Sequence, residues 1–196
     1  MNSYFARTSL FALFIILLFS VADAKPAFPK GSSRHNDSIQ FKSEKVSQTD
    51  SIILNGNIKK VFPLFGAFEE RKWADGWNPA LVYMATDTIE EGTTFKTASH
   101  GFGEPGYVWR INKYEPQRTL IQYLVTCPNR YWTITVKCRQ IAANKTLAKI
   151  TYTFIGLNEM GNHLDKHFLD KIYEHHLKDW EQAINSFLNK DTRKDD

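Results

Sequence analysis

The sequence predicts an α+β fold: a first strand, two short helices, six further strands and a long C-terminal helix. Two patterns carry that prediction. From Ala80 to about Gly156 apolar and polar residues alternate with period two, as in strands with one dry face. From Glu159 to Leu188 apolar residues instead recur at helical spacing.

Taken in order, 48–54 forms the first strand, and Asn55-Gly56-Asn57 supplies a turn and a helix N-cap. Ile58, Val61, Phe62 and Phe65 then fall on one helical face, and a brief helix over 69–73 is closed by Gly76-Trp77-Asn78-Pro79. Strands are expected near 80–86, 92–99, 106–115, 118–127, 130–141 and 146–156. Their connections are short, so neighbours pair antiparallel as a meander. On the last helix Leu164, Phe168, Leu169, Ile172, Trp180, Ala183, Ile184 and Phe187 share one arc, which lies on the sheet.

The ends of the chain have a different composition. Arg7, the apolar run Leu10 to Val21 and the small residues Ala22-Asp23-Ala24 form the three parts of a cleavable signal peptide, residues 1–24. The run is too short to span a bilayer, and Pro26 and Pro29 follow it, so an exported protein without stable membrane insertion after cleavage is expected. Residues 25–43 are a flexible lead-in, 44–189 the folded domain and 190–196 a charged tail. Residues 25–196, left after the leader, have the length of one domain, expected as a monomer. The net charge of +4 is mildly basic, and Lys and Arg do not cluster with exposed aromatics, so nucleic acid is not expected as a partner. Cys127 sits beside the Pro128-Asn129-Arg130 turn while Cys138 lies ~20 Å up the partner strand, so free thiols are expected rather than a disulfide.

Several stretches together resemble the helix-grip fold of the SRPBCC superfamily, over about residues 44–189. They are Ile58 to Phe65, the run Glu69-Glu70-Arg71-Lys72-Trp73-Ala74-Asp75-Gly76-Trp77-Asn78-Pro79, Glu91-Gly92-Thr93-Thr94-Phe95, and Thr151-Tyr152-Thr153-Phe154 leading through Glu159-Met160-Gly161-Asn162. The superfamily includes START lipid-transfer domains, birch-pollen-allergen-like proteins and polyketide cyclases. The resemblance implies a curved antiparallel sheet of about seven strands wrapped on the C-terminal helix, with a cavity between them. Many such proteins bind a lipid, sterol or other apolar molecule there; some are cyclases or hydrolases, and several are co-chaperones. An export signal argues against the intracellular roles.

The residues offer candidates for such a site. Trp109, Tyr123, Trp132, Tyr152 and Phe154 on strands face Phe168, Leu169, Ile172, His176 and Trp180 on the helix, either as plain core or as the wall of an apolar pocket. Tyr107, Tyr123, Arg110 and His100 are candidate polar handles. His176 shares a stripe with Asp165, Leu169 and Ile172, and is either a cavity group or a core histidine bonded to backbone. Asp165, near the helix start, either joins it or favours the N-terminal dipole. His163 and His167, four apart with Glu159 one turn earlier, fall on the wet face, so no metal is expected. Trp73, Trp77 and Pro79 clamp the short helices to the sheet and border the cavity mouth. The glycine-rich segment 100–106 lacks the spacing of a phosphate cradle and reads as a mobile hairpin over the cavity.

No nucleophile elbow and no close carboxylate pair with an evident acid/base role is present, and no cofactor is implied. The expected function is an exported carrier of an apolar small molecule or lipid. The alternatives are a cyclase- or hydrolase-like enzyme using His176 with Asp165 or His100, and a protein-interaction module with a filled core.

Overall fold

The computed structural model describes residues 41–99, 101 and 103–192. The leader 1–24, nearly all of the lead-in, and His100 lie outside the described residues. The strands are β1 (Lys45–Leu54), β2 (Ala80–Tyr83), β3 (Thr94–Thr97), β4 (Tyr107–Glu115), β5 (Leu120–Thr126), β6 (Arg130–Ala142) and β7 (Lys145–Gly156). They form one antiparallel seven-stranded sheet in the order β1-β7-β6-β5-β4-β3-β2. The meander expected from the short connections is therefore present, and β1 closes it by pairing with β7 from Lys45↔Ile155 to Leu54↔Thr146. Period two holds along β5, β6 and β7, where Ile121, Tyr123 and Val125, then Trp132, Ile134, Val136 and Cys138, then Ala148, Ile150, Tyr152 and Phe154 are buried.

Between β1 and β2 the chain makes α1 (Ile58–Val61) and two 3-10 turns, Phe62–Phe65 and Glu69–Lys72. Asn57 caps α1 by accepting from the Lys59 N–H at 2.9 Å. The α-helix stops after one turn because Pro63 has no N–H to donate back along the ladder. Val61, Phe62, Leu64 and Phe65 carry this segment into the core.

The C-terminal helix is α2 (Glu159–Lys171), a π turn at Ile172–His176, and α3 (Leu177–Thr192), reaching past the expected end at Leu188. In the π turn the Leu177 N–H reaches the Ile172 carbonyl, five residues back. The buried stripe accordingly runs Leu164, Leu169, Ile172, then steps by five to Leu177 before continuing through Ile184 and Leu188. Among the described residues no helix is long and apolar enough to cross a membrane.

Cys127 is half-buried and Cys138 buried; both are free, as the register predicts. Burial pushes the Cys138 thiol up to about 12, which makes it inert.

The start of α2 is seated backbone against backbone. A Cβ on Gly161 would lie 2.0 Å from the Asn129 carbonyl oxygen in the β5–β6 turn, and 3.1 Å from the Gly156 Cα that ends β7. Gly161 also donates its N–H to the Asn158 side chain at 2.8 Å. No rotamer relieves a clash at Cβ, so Gly161→Ala is expected to cost more than about 2 kcal/mol in urea unfolding, despite alanine's better helix propensity. A cost below about 0.5 kcal/mol would contradict this packing.

Candidate functional site

The concave face of the sheet, the C-terminal helix and the segment Glu70–Trp77 enclose a cavity of about 310 Å³. Two rungs of cross-strand register lie beneath it, and all of their residues except Val125 and Ile111 line it. One runs Trp109, Val125, Trp132, Phe154; the next runs Ile111, Tyr123, Ile134, Tyr152. Phe168, Ile172, His176 and Trp180 come down from the helix, and Glu70, Trp73, Ala74 and Trp77 close one side. All five tryptophans of the chain border this space.

The rings are held from outside the cavity. Trp73 donates its indole N–H to the Leu64 carbonyl and Trp77 to the Ala67 carbonyl, both at 2.7 Å. These bonds tie the two 3-10 turns to each other; the contact with the sheet is made by Trp77, edge-on to Phe95 and Trp109, and both indoles border the cavity. Trp109 donates to the Thr97 hydroxyl at 3.0 Å, and Tyr123 to the Phe65 carbonyl at 2.7 Å. Trp73 meets Trp180 edge-on with centroids 5.5 Å apart, and Trp132 stacks on Phe154 at 5.5 Å. With their N–H groups satisfied outward, Trp73, Trp77 and Trp109 offer mainly carbon to the cavity.

At one end of the wall lies an ionic cluster. Arg130 is only 1% exposed, and it is on the inner face because it shares parity with Trp132. Its Nε and Nη2 each donate to Glu104 at 2.9 Å, and its Nη1 reaches Asp165 Oδ1 at 3.5 Å. Its guanidinium also covers the Phe168 ring at 4.1 Å and the Trp132 ring at 5.0 Å. Burial alone would raise the pKa of Glu104, but bonds from Arg130, Cys127 and Tyr107 outweigh it and hold the carboxyl below its ordinary range. Asp165 has the opposite balance. Burial pushes it up to about 6, because Arg130 is already committed to Glu104 and Asp165 Oδ2 is buried without a hydrogen-bond partner among the described residues.

Between about pH 3.8 and about 6, then, the folded protein holds a proton on Asp165 that the unfolded chain has released. Stability therefore falls as pH rises through that window, by at most about 3 kcal/mol. Asp165→Asn is expected to flatten this part of the profile in thermal melts; an unchanged slope would show that Asp165 ionises normally.

Glu70 is the other acid of the wall. It is half-buried, and no hydrogen bond or ion pair to its carboxyl forms among the described residues. Burial holds its pKa well above the usual carboxylate range; the Tyr123 and Tyr152 hydroxyls are raised chiefly by their own burial and further by the nearby Glu70 carboxyl.

The structure brings together Trp109, Tyr123, Trp132, Tyr152, Phe154, Phe168, Ile172 and His176 on one cavity. It separates others from it. Leu169 is buried in the core outside the wall. Asp165 faces Arg130 rather than the cavity. His176 reaches only the rim and is exposed, because the π turn substitutes Leu177 for it as the next buried position after Ile172. Arg110 is exposed on the outer face, since Trp109 and Ile111 point inward. His163 and His167 are exposed, and no group of three or more His, Cys, Asp or Glu able to hold a metal occurs among the described residues. The segment expected to be a mobile hairpin is anchored at its C-terminal end, where Glu104 is 4% exposed and a Cβ on Gly106 would meet the Thr97 carbonyl at 3.0 Å.

Arg130, Glu104 and Glu70 went unrecognised in the sequence. Parity could have found the first, because a strand beginning at Arg130 puts a guanidinium on the dry face, and a buried guanidinium requires carboxylates. Nothing in the sequence distinguishes Glu70 from Glu69.

A curved antiparallel sheet gripping a long C-terminal helix over an apolar cavity is the helix-grip fold of the SRPBCC superfamily, and this chain has it. Solved structures agree. Norcoclaurine synthase from Thalictrum flavum matches with a TM-score of 0.57 at 10% identity, over 84% of this chain and 98% of that one. The Zhui aromatase/cyclase from Streptomyces sp. R1128 matches with a TM-score of 0.55 at 13% identity, over 73% and 93%. A START superfamily protein from Mycobacterium smegmatis matches with a TM-score of 0.54 at 11% identity, over 71% and 97%. No protein-family model and no curated protein matches the chain. At these identities the likeness is one of fold.

Proposed function

We propose that this protein is exported and binds a compact apolar small molecule in the cavity between sheet and helix. The observation that carries this is the wall itself: five indoles and several other rings around about 310 Å³, with few polar groups among them. That volume lies at the lower end of the range for ligand sites, roughly 300 to 1,000 Å³, and favours a ring-sized molecule over a two-chain lipid. Burial of apolar ligand surface supplies affinity at ~25 cal/mol per Å², while Glu70 and the Tyr152 hydroxyl orient the ligand. Export rests on the three-part leader of residues 1–24. An enzyme built on His176 with Asp165 finds no support in the geometry, because one is at the rim and the other is turned to Arg130.

Native mass spectrometry of the protein purified from the compartment it reaches tests both parts. A chain beginning at Lys25 is expected, carrying an extra mass that is lost on denaturation. An intact leader would overturn export. A bare chain that takes up no small aromatic compound on incubation would overturn the carrier reading in favour of an interaction module.

A further inference from the structure

The cavity wall holds one carboxylate, Glu70, and one guanidinium, Arg130, and only the second has ionic partners among the described residues. Arg130 is the cationic side chain built into the wall, and its guanidinium is already spent: two 2.9 Å bonds to Glu104 and a third contact to Asp165 engage all three nitrogens. An anionic ligand would have to displace a buried carboxylate to reach it. Glu70 is in the reverse position. Its carboxyl forms no hydrogen bond or ion pair among the described residues, it borders a space walled by indoles, and the Tyr152 hydroxyl near it is likewise unbonded.

A lone carboxylate is costly in such surroundings, and two things can compensate it: a proton, or a cation brought by the ligand. The rest of the wall suits the cation. The negative faces of tryptophan and tyrosine rings attract ammonium groups, most strongly where water is excluded. The faces that Arg130 covers, those of Trp132, Phe154 and Phe168, are at the other charged group. Trp73, which packs edge-on against Trp180, belongs to the segment that carries Glu70.

We propose that the cavity takes an organic cation, a protonated amine on a compact apolar frame, with the ammonium group on Glu70 and the frame among the indoles. This deepens the carrier reading and rests on it. Burial shifts the Glu70 carboxyl toward its protonated form. When a cation enters, the amine keeps its proton, and whatever proton Glu70 carried passes to the buffer.

The test uses the full chain and the quenching of its tryptophans by three probes of one size: 2-phenylethylamine, which is protonated at neutral pH, the neutral 2-phenylethanol, and phenylacetate. The amine is expected to bind about tenfold or more tighter than the alcohol, and phenylacetate more weakly than either. In Glu70→Gln the amine-to-alcohol ratio is expected to fall toward one. Glu69→Gln, which alters the neighbouring acid that pairs with Lys72, should leave the ratio unchanged. Calorimetry in buffers of different ionisation enthalpy should show release of up to about one proton per amine bound to the wild type, and none for Glu70→Gln. Equal binding of amine and alcohol by the wild type would overturn the cation and leave the carrier standing. A preference that survives in Glu70→Gln would overturn the assignment to Glu70. Failure of all three probes, and of an apolar dye, to enter would overturn both.

Discussion

Replacing Arg130 by methionine is expected to destabilise the protein by about 3–5 kcal/mol, the range for removing one partner of a buried ion pair. The size of the effect comes from what is left behind. Glu104 is 4% exposed and owes its lowered pKa to bonds from Arg130 first, then from Cys127 and Tyr107. Without the guanidinium its carboxylate is buried unpaired and must take a proton or draw in water. The guanidinium also fills space over Phe168, Trp132 and Phe154, which methionine occupies only in part. Adding Glu104→Gln to Arg130→Met should recover part of the loss, because the stranded charge goes with it. Lysine at 130 cannot span Glu104 and Asp165 with a planar fork and should rescue poorly. Urea unfolding at neutral pH decides the matter. A loss under about 1 kcal/mol for Arg130→Met would mean that the cluster is hydrated and contributes no more than a surface pair.

Filling the cavity is expected to have the largest effect on binding. Ile134 is the central position of the floor, opposite Tyr123 on one side and Tyr152 on the other. It is 5% exposed and borders the cavity. Ile134→Trp places an indole in the space the ligand would occupy, so affinity for 2-phenylethylamine should drop more than about 100-fold, or roughly 3 kcal/mol. Overpacking normally costs about 1–3 kcal/mol, but here the added ring enters an existing void, so stability should change by less than that. Binding retained within about threefold would place the ligand elsewhere and would remove the cavity from the function.

Much of the architecture is legible in the residues because each element repeats one local rule. Alternation in β6 and β7 fixes which side chains are dry, and Trp132, Ile134, Tyr152 and Phe154 face inward as their parity requires. Short connections dictate the antiparallel meander, and Asn57 and Asn158 cap the helices through the side-chain oxygens expected of such residues. Cys127 and Cys138 stay apart for the same reason of register. Where the helix departs from its rule, position is lost. One π turn moves His176 to the rim and seats Leu177 in its place, although the five-residue step between the stripes ending at Ile172 and starting at Leu177 is written in the sequence.

The sequence by itself thus determined the strands, their order in the meander, the amphipathic helix and most of the aromatic wall, since all of these follow from spacing between near neighbours. Only the tertiary structure decided that β1 closes the sheet against β7, that Arg130 is neutralised by Glu104 and Asp165, and that Glu70 reaches the cavity with no partner among the described residues. Arg130 lies 26 residues from Glu104 and 35 from Asp165. A carboxylate's partner is set by which loops and helices converge on it in space, and no local period records that convergence.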